Sequence, residues 1–116
     1  MVKDPRDVVL SEFVNYYNAD ELPLVLTGDV DEQADDSARH FVHELGARAR
    51  EAVTMLQRVV AGQDDHLLED LDRRTHYGWS GTPEDRELLR RIVERISVAV
   101  DRALSGIPEA KSGDKP

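Results

Sequence analysis

Four histidines are the residues of this chain best suited by type and spacing to carry chemistry: His40, His43, His66 and His76. His40 and His43 stand one helical turn apart, a spacing that two metal ligands can use. His66 and Glu69 repeat that spacing. A di-iron bundle would also need several glutamates facing inward beside such histidines, and the segment around His40 offers none on its apolar side. The chain also has no cysteine to act as a thiolate ligand, so we predict no metal site and no cofactor.

An acidic cluster lies just before the longest apolar repeat and comprises Asp31, Glu32, Asp35 and Asp36. A calcium loop beginning at Asp29 would need glycine at its sixth position and a carboxylate at its twelfth, where this chain has Ala34 and His40. Acids at a helix start instead interact favourably with the exposed amide groups of the first turn. Because the cluster also concentrates negative charge, we predict that its four residues bind a partner protein, and a basic one.

The segment FVHEL at 41–45 lies inside a predicted long helix, and a second amphipathic helix follows farther along the chain. His43 projects about 200° around the helix from Phe41, so its imidazole is expected to face away from the core. The segment resembles the phospho-acceptor segment of histidine kinase dimerisation domains and of related histidine phosphotransfer domains. That resemblance implies His43 as the phosphoryl acceptor and Glu44 as the group that takes the ring proton. The pattern departs from the family at Gly46, and a chain without an ATP-binding domain would only relay phosphate between partners.

Three rings, those of His76, Tyr77 and Trp79, lie in a predicted loop that also contains Gly78 and Gly81. Aromatic rings are favoured contact residues of protein interfaces when they are exposed, so we predict that Tyr77 and Trp79 bind a partner. The alternative is that Trp79 folds back as a lid on the bundle. The tripeptide WSG at 79–81 also resembles that of the small secreted WXG proteins, which place it between two helices of similar length.

Apolar residues recur at spacings of three and four in two long segments, which is the period of an amphipathic helix. We predict helices at about 31–61 and 83–105 and shorter ones at about 5–18 and 65–74. Pro23 argues against a helix in the segment 20–28, which we interpret as a buried extended connection. The long helices most simply form an antiparallel pair crossed by the short ones, so the predicted fold is an all-α, four-helix bundle-like domain. We assign residues 1–106 to one domain and 107–116 to a disordered tail.

The net charge of −9 is concentrated in the first 37 residues, where ten acids and two bases give −8. A field of that sign disfavours direct binding of nucleic acid and favours a basic protein partner. The arginines of the last helix form a basic face that we expect to meet the chain's own acidic segment: Arg90, Arg91, Arg95 and Arg102.

Two short helices cannot cover two long apolar stripes, so we also expect a homodimer. No segment is long and apolar enough to span a membrane, and we expect a cytoplasmic protein.

These patterns favour a small acidic helical module for protein–protein interaction, with a regulatory or adaptor role. The alternative is a protein similar to the histidine phosphotransfer domains that relays phosphate through His43. An enzyme is the less favoured class, because no nucleophile stands beside a base at a meaningful spacing.

Overall fold

The computed structural model describes residues 4–79 and 81–112, and side chains within 4–105. The described residues form six α-helices, one short 3₁₀ turn and no strand, which confirms the prediction of an all-α helical domain. None of the described helices combines the length and the apolar character needed to cross a bilayer. The helices are α1 Pro5–Tyr16, α2 Leu22–Thr27, α3 Val30–Leu45, α4 Ala49–Val60, α5 Asp65–Thr75 and α6 Pro83–Ser112, and the 3₁₀ turn is Gly46–Arg48.

The helix starts are set by the capping residues that the sequence indicates. The carboxylate of Asp4 accepts a hydrogen bond of 2.9 Å from the backbone N–H of Arg6, and Pro5 occupies the first turn of α1. Asp29 caps α3 in the same way, through bonds of 3.0 Å and 3.2 Å to the next turn. Each cap satisfies amide groups that have no partner inside their helix, so the starts of α1 and α3 lie where they were predicted.

The predicted helix at about 31–61 is divided by a reversal of the chain at Gly46. Gly46 has φ +60° and ψ −133°, a conformation that strongly favours glycine because a Cβ atom would collide with the neighbouring backbone. The α-helical path therefore ends at Leu45 and resumes at Ala49. The prediction of one continuous helix was wrong, although both of its halves are helical.

The contacts of α6 give the direction of the two halves. Asp31 and Asp35 of α3 pair with Arg91 and Arg95, so the numbers rise together and α3 runs in the same direction as α6. On α4 the order is opposite, because Arg50 bonds Asp101 at 2.8 Å and Gln57 bonds Ser97 at 3.3 Å. The predicted antiparallel pairing with the last helix is therefore correct for α4 and wrong for α3. The two halves form a helical hairpin that packs along α6.

The segment 20–28 contains helix α2 rather than an extended connection, so that prediction was wrong. Pro23 lies in the first turn of this helix, where the missing N–H removes no intrahelical hydrogen bond. The segment is also not buried as a whole. Leu22 is fully buried, whereas Leu24 and Leu26 are 66 % and 47 % exposed.

Helix α6 is the longest element, and one of its faces is buried in the core. Its buried residues are Leu89, Ile92, Val93, Ile96 and Val100. The helix is described to Ser112, beyond the predicted end at about 105, and residues 113–116 of the predicted tail lie outside the described residues. Helix α5 ends at Thr75, one residue after the predicted end, and its Leu67 and Leu71 are buried as expected of a helix that covers one end of the core.

Candidate interaction site

The acidic cluster of α3 is divided into two stripes by the helical twist. Asp35 faces α6 and accepts hydrogen bonds from Nε and Nη2 of Arg95 at 2.8 Å and 2.9 Å. Asp31, one turn earlier, lies 3.5 Å from Nε of Arg91. The hydrogen bond from Arg95 lowers the pKa of Asp35, although partial desolvation of this carboxylate acts to raise it. The structure therefore confirms the predicted contact for Arg91 and Arg95, whereas Arg90 forms its ion pairs within its own helix. Two of the four predicted partner-binding acids are thus already paired with α6.

The other two acids of the cluster, Glu32 and Asp36, lie beside α2 on the wall of a surface groove. Asp36 also forms an ion pair with Arg39, while the side chain of Glu32 is exposed. The groove has a volume of about 280 Å³. It is lined by Tyr16, Glu21, Leu24, Val25, Asp29, Glu32, Gln33 and Asp36. Four of these eight residues carry a carboxylate and none carries a positive charge, so the groove is a concentrated negative site between α1, α2 and α3.

The apolar part of the groove comes from α2. Leu24, at 66 % exposure, lines it together with Val25. Among the described residues the large hydrophobic side chains with high exposure are Leu24, Leu26 and Val98, so two of the three lie on this helix of six residues. An apolar surface rimmed by charge is typical of a contact site for another molecule. The groove was not predicted from the sequence, because the segment that forms its apolar side was interpreted as a buried connection.

A buried polar network lies behind the groove, between α1 and α3. Glu12 is only 6 % exposed and accepts a hydrogen bond of 2.8 Å from the hydroxyl of Ser37. Since Ser37 has one hydroxyl hydrogen and gives it to Glu12, the hydroxyl of Tyr17, 2.9 Å away, is the donor to Ser37. Nδ1 of His40 lies 3.1 Å from both oxygens of Glu12. The four side chains thus form one continuous chain of hydrogen bonds.

Burial is the main electrostatic influence on this network. It raises the pKa of Glu12 above its ordinary value, and the hydrogen bonds from Ser37 and His40 offset part of that rise. Burial also raises the pKa of Tyr17, so its phenol stays a neutral donor. A carboxylate in this position is stable because its oxygens have donors, and removal of a donor would leave a buried acceptor without a partner.

The network reaches the groove through a contact between two rings. The rings of His40 and Tyr16 have centroids 5.6 Å apart and are inclined by 30°, and Tyr16 lines the groove.

The sequence contains a signal for the buried polar network. Glu12 stands three residues after Val9 and four before Tyr16, and Ser37 has the same relation to apolar residues of α3, so both polar side chains occupy positions on the buried faces. His40 was considered only as a metal ligand beside His43.

Trp79 is fully buried, which corrects its prediction as a partner-binding residue. Its ring packs against Phe13 and Tyr77, with centroids 5.8 Å and 4.8 Å away. The alternative prediction, a tryptophan folded back on the bundle, describes this position. Tyr77 is half-buried, donates its hydroxyl hydrogen to Asp85, and has its pKa raised to about 12 by burial and by that carboxylate. These two rings do not line the groove.

His43, the residue of the alternative prediction, has a side chain that is 84 % exposed. It faces away from the core, as the helical geometry predicts, and its Nε2 lies 4.0 Å from the carboxylate of Glu44. It stands in the last turn of α3, next to the reversal at Gly46. His40 and His43 do not converge, because Nδ1 of His40 is held by Glu12. Within 4–79 and 81–112, no group of three or more potential ligands is arranged to hold a metal ion.

Comparison of the chain with protein-family models, with curated proteins and with solved structures gave no match. An argument about function therefore rests on the arrangement of the chain's own residues. The groove and the network behind it are the features of that arrangement that the packing of the bundle does not by itself require.

Proposed function

We propose that this chain is a small helical module that binds a basic segment of another protein in the groove between α1, α2 and α3. The observation that supports the proposal is the combination of four carboxylates with Leu24, a leucine that is 66 % exposed. A positively charged segment that carries an aliphatic side chain matches both properties at once. The regulatory or adaptor role, and the cytoplasmic location expected from the sequence, belong to the same proposal.

The two parts of the groove make different contributions to binding. Covering the exposed surface of Leu24 would contribute about 1–2 kcal/mol, since complete burial of a leucine side chain is worth about 1.5–3 kcal/mol. The carboxylates act mainly by attracting the partner and by opposing acidic competitors, and their effect weakens as salt is added. Affinity is therefore expected to depend on both Leu24 and the carboxylates, with the carboxylates acting largely through the association rate.

Two other expectations are less favoured by the geometry. A phosphoryl group on His43 would lie at the carboxyl end of α3 beside Glu44, where the helix dipole and the neighbouring carboxylate both oppose negative charge. The sequence predicts a homodimer because two short helices cannot cover two long apolar stripes. Stripe residues such as Phe41 and Leu56 of the hairpin and Ile96 of α6 are fully buried within one chain, so the proposal needs no second copy.

The proposal can be tested with a fluorescein-labelled peptide of repeated Arg-Arg-Leu units, followed by fluorescence anisotropy. We expect the double variant Glu32→Gln, Asp36→Asn to bind about tenfold more weakly, as two cation–carboxylate contacts of up to about 1 kcal/mol each are lost. The matched control is Asp65→Asn, Glu69→Gln, which removes the same charge at the same spacing from exposed positions of α5. This control should change the affinity by less than about twofold.

A second pair of variants separates apolar contact from charge. Leu24→Ser should weaken binding, whereas Leu26→Ser, on the same helix but outside the groove lining, should leave it unchanged. If the groove variants and their controls weaken binding equally, the peptide is held by general electrostatic attraction and the proposed site is refuted. Absence of binding at low salt would refute the proposal itself.

A further inference from the structure

The binding of a basic segment in the groove does not use the network behind it, although a buried carboxylate is costly to maintain. Within the part of the chain whose side chains are described, three polar or charged residues are buried: Glu12, Ser37 and Thr75. Two of the three belong to this network. Its outer member, His40, has a side chain that is 45 % exposed, so the network extends from the core to solvent.

We infer that binding in the groove is coupled to protonation of the pair Glu12 and His40. A proton taken up from solvent by this pair removes the negative charge behind the groove, and the groove then binds a basic segment more weakly. This inference rests on the proposed function and concerns the regulation of the same site. It requires no statement of which partner holds the proton. With Glu12 ionised and the imidazole neutral the pair carries a charge of −1, and after protonation of either member it carries none.

The geometry places this change of charge beside the groove. The imidazole of His40 packs against the ring of Tyr16, which lines the groove, with ring centroids 5.6 Å apart. Asp36, one of the four groove carboxylates, stands four residues before His40 and therefore one helical turn away on the same face of α3. Over such distances a unit charge near a protein surface changes the affinity for a cation by a few-fold.

The surroundings of Glu12 favour its protonated form. Among the described residues, the side chains that act on the pKa of Glu12 are Ser37 and His40, both on α3, and burial, which favours the neutral acid, outweighs them. On the α1 side the neighbours are Tyr16, whose ring contacts the imidazole, and Tyr17, whose raised pKa keeps it neutral.

Further charged residues of α3 stand close to His40 along the helix. Asp36 and Glu44 stand one turn before and after His40, and Arg39 is paired with Asp36. Burial therefore favours the neutral acid form of Glu12, the member of the pair that lies in the core.

The first test measures the affinity of the Arg-Arg-Leu peptide between about pH 5.5 and 8, a range in which histidine is the side chain that ordinarily changes its charge and arginine stays charged. Binding to the unaltered chain should weaken by about three- to fivefold toward the acidic end. Glu12→Gln and His40→Gln should each flatten this profile. His43→Gln, which removes an imidazole at the far end of α3, should retain it.

The second test needs no peptide and separates this inference from the proposed function. In the free protein, the methyl signals of Leu24 and Val25 should shift with the same midpoint as the ring signals of His40, and these shifts should disappear in Glu12→Gln. Methyl signals that do not follow His40, or a binding profile that Glu12→Gln and His40→Gln leave unaltered, would overturn the inference. Absence of peptide binding at every pH would overturn the proposed function, and the methyl titration would still decide whether the groove and the pair are coupled.

Discussion

Replacement of Gly46 by alanine tests whether this one residue causes the reversal between α3 and α4. Apart from its own chain neighbours, the Cβ of alanine would meet no atom within 4 Å, so the expected cost comes from the local backbone alone. At φ +60° and ψ −133° a residue with a side chain is strained by about 1–3 kcal/mol. We expect Gly46→Ala to lower the free energy of unfolding by about 2 kcal/mol, which corresponds to a fall of about 8 °C in Tm for a chain of this size.

Two other glycines serve as graded controls in the same assay, urea unfolding followed by circular dichroism. Gly62 has φ +77° and nothing near its missing Cβ, so Gly62→Ala should cost about 1 kcal/mol, as at an ordinary helix end. Gly78 also has open space around it, and its φ lies outside the left-handed range. Gly78→Ala should therefore be neutral or slightly stabilising, since alanine restricts the unfolded chain.

The opposite result has a clear meaning, because alanine favours a helix over glycine by about 1 kcal/mol. If the hairpin were not imposed by Gly46, alanine would allow α3 and α4 to join, and the variant would be more stable and more helical than the unaltered chain. An unchanged or increased stability of Gly46→Ala, relative to Gly78→Ala, would refute the reasoning.

Three further predictions concern the core and its charges. Because burial raises the pKa of Glu12, the stability of the unaltered chain relative to Glu12→Gln should be highest below about pH 4.5 and fall as the pH rises through the folded-state pKa, as measured by urea unfolding at several pH values. A double-mutant cycle of Asp35→Asn and Arg95→Gln should give a coupling of about 1 kcal/mol, and a coupling near zero would mean that solvent competes fully with this two-bond pair. Nε1 of Trp79 is buried and has no hydrogen-bond partner among the described residues. Trp79→Phe should therefore cost far less than the roughly 3–5 kcal/mol expected for Trp79→Ala, and equal losses in thermal unfolding would contradict the packing described.

The helical period predicts the existence of α1, α3 to α6 and their buried faces, but it does not predict direction. Phe41 and Leu56 lie on faces that both turn toward α6, and the same spacing would suit one straight helix or a hairpin. Gly46 was visible in the sequence only as a departure from a family pattern. A glycine within a helical period costs about 1 kcal/mol and is often tolerated, so its presence alone does not distinguish the two cases.

The groove and its network could be predicted only in part, because residues of three helices form them. Capping and charge patterns identified the acidic start of α3, and the arginines of α6 indicated that acids such as Asp35 would pair with that helix. Pro23 argues against a helix interior, but proline is well suited to the first turn of a helix. Helix α2 and the exposure of Leu24 were therefore not predicted. The contact between Glu12 and His40 joins residues far apart in the chain, and no local spacing contains that information.

The parallel and antiparallel contacts of the α3–α4 hairpin with α6 have a consequence for how the chain reaches its fold. Both arms of the hairpin bury their apolar faces on residues between Leu89 and Val100. During synthesis, the hairpin must remain partly uncovered until α6 has left the ribosome. A nascent chain that ends before α6 would expose these faces together. Folding of the hairpin region therefore depends on α6, and truncation before Val100 would remove part of the hairpin's support.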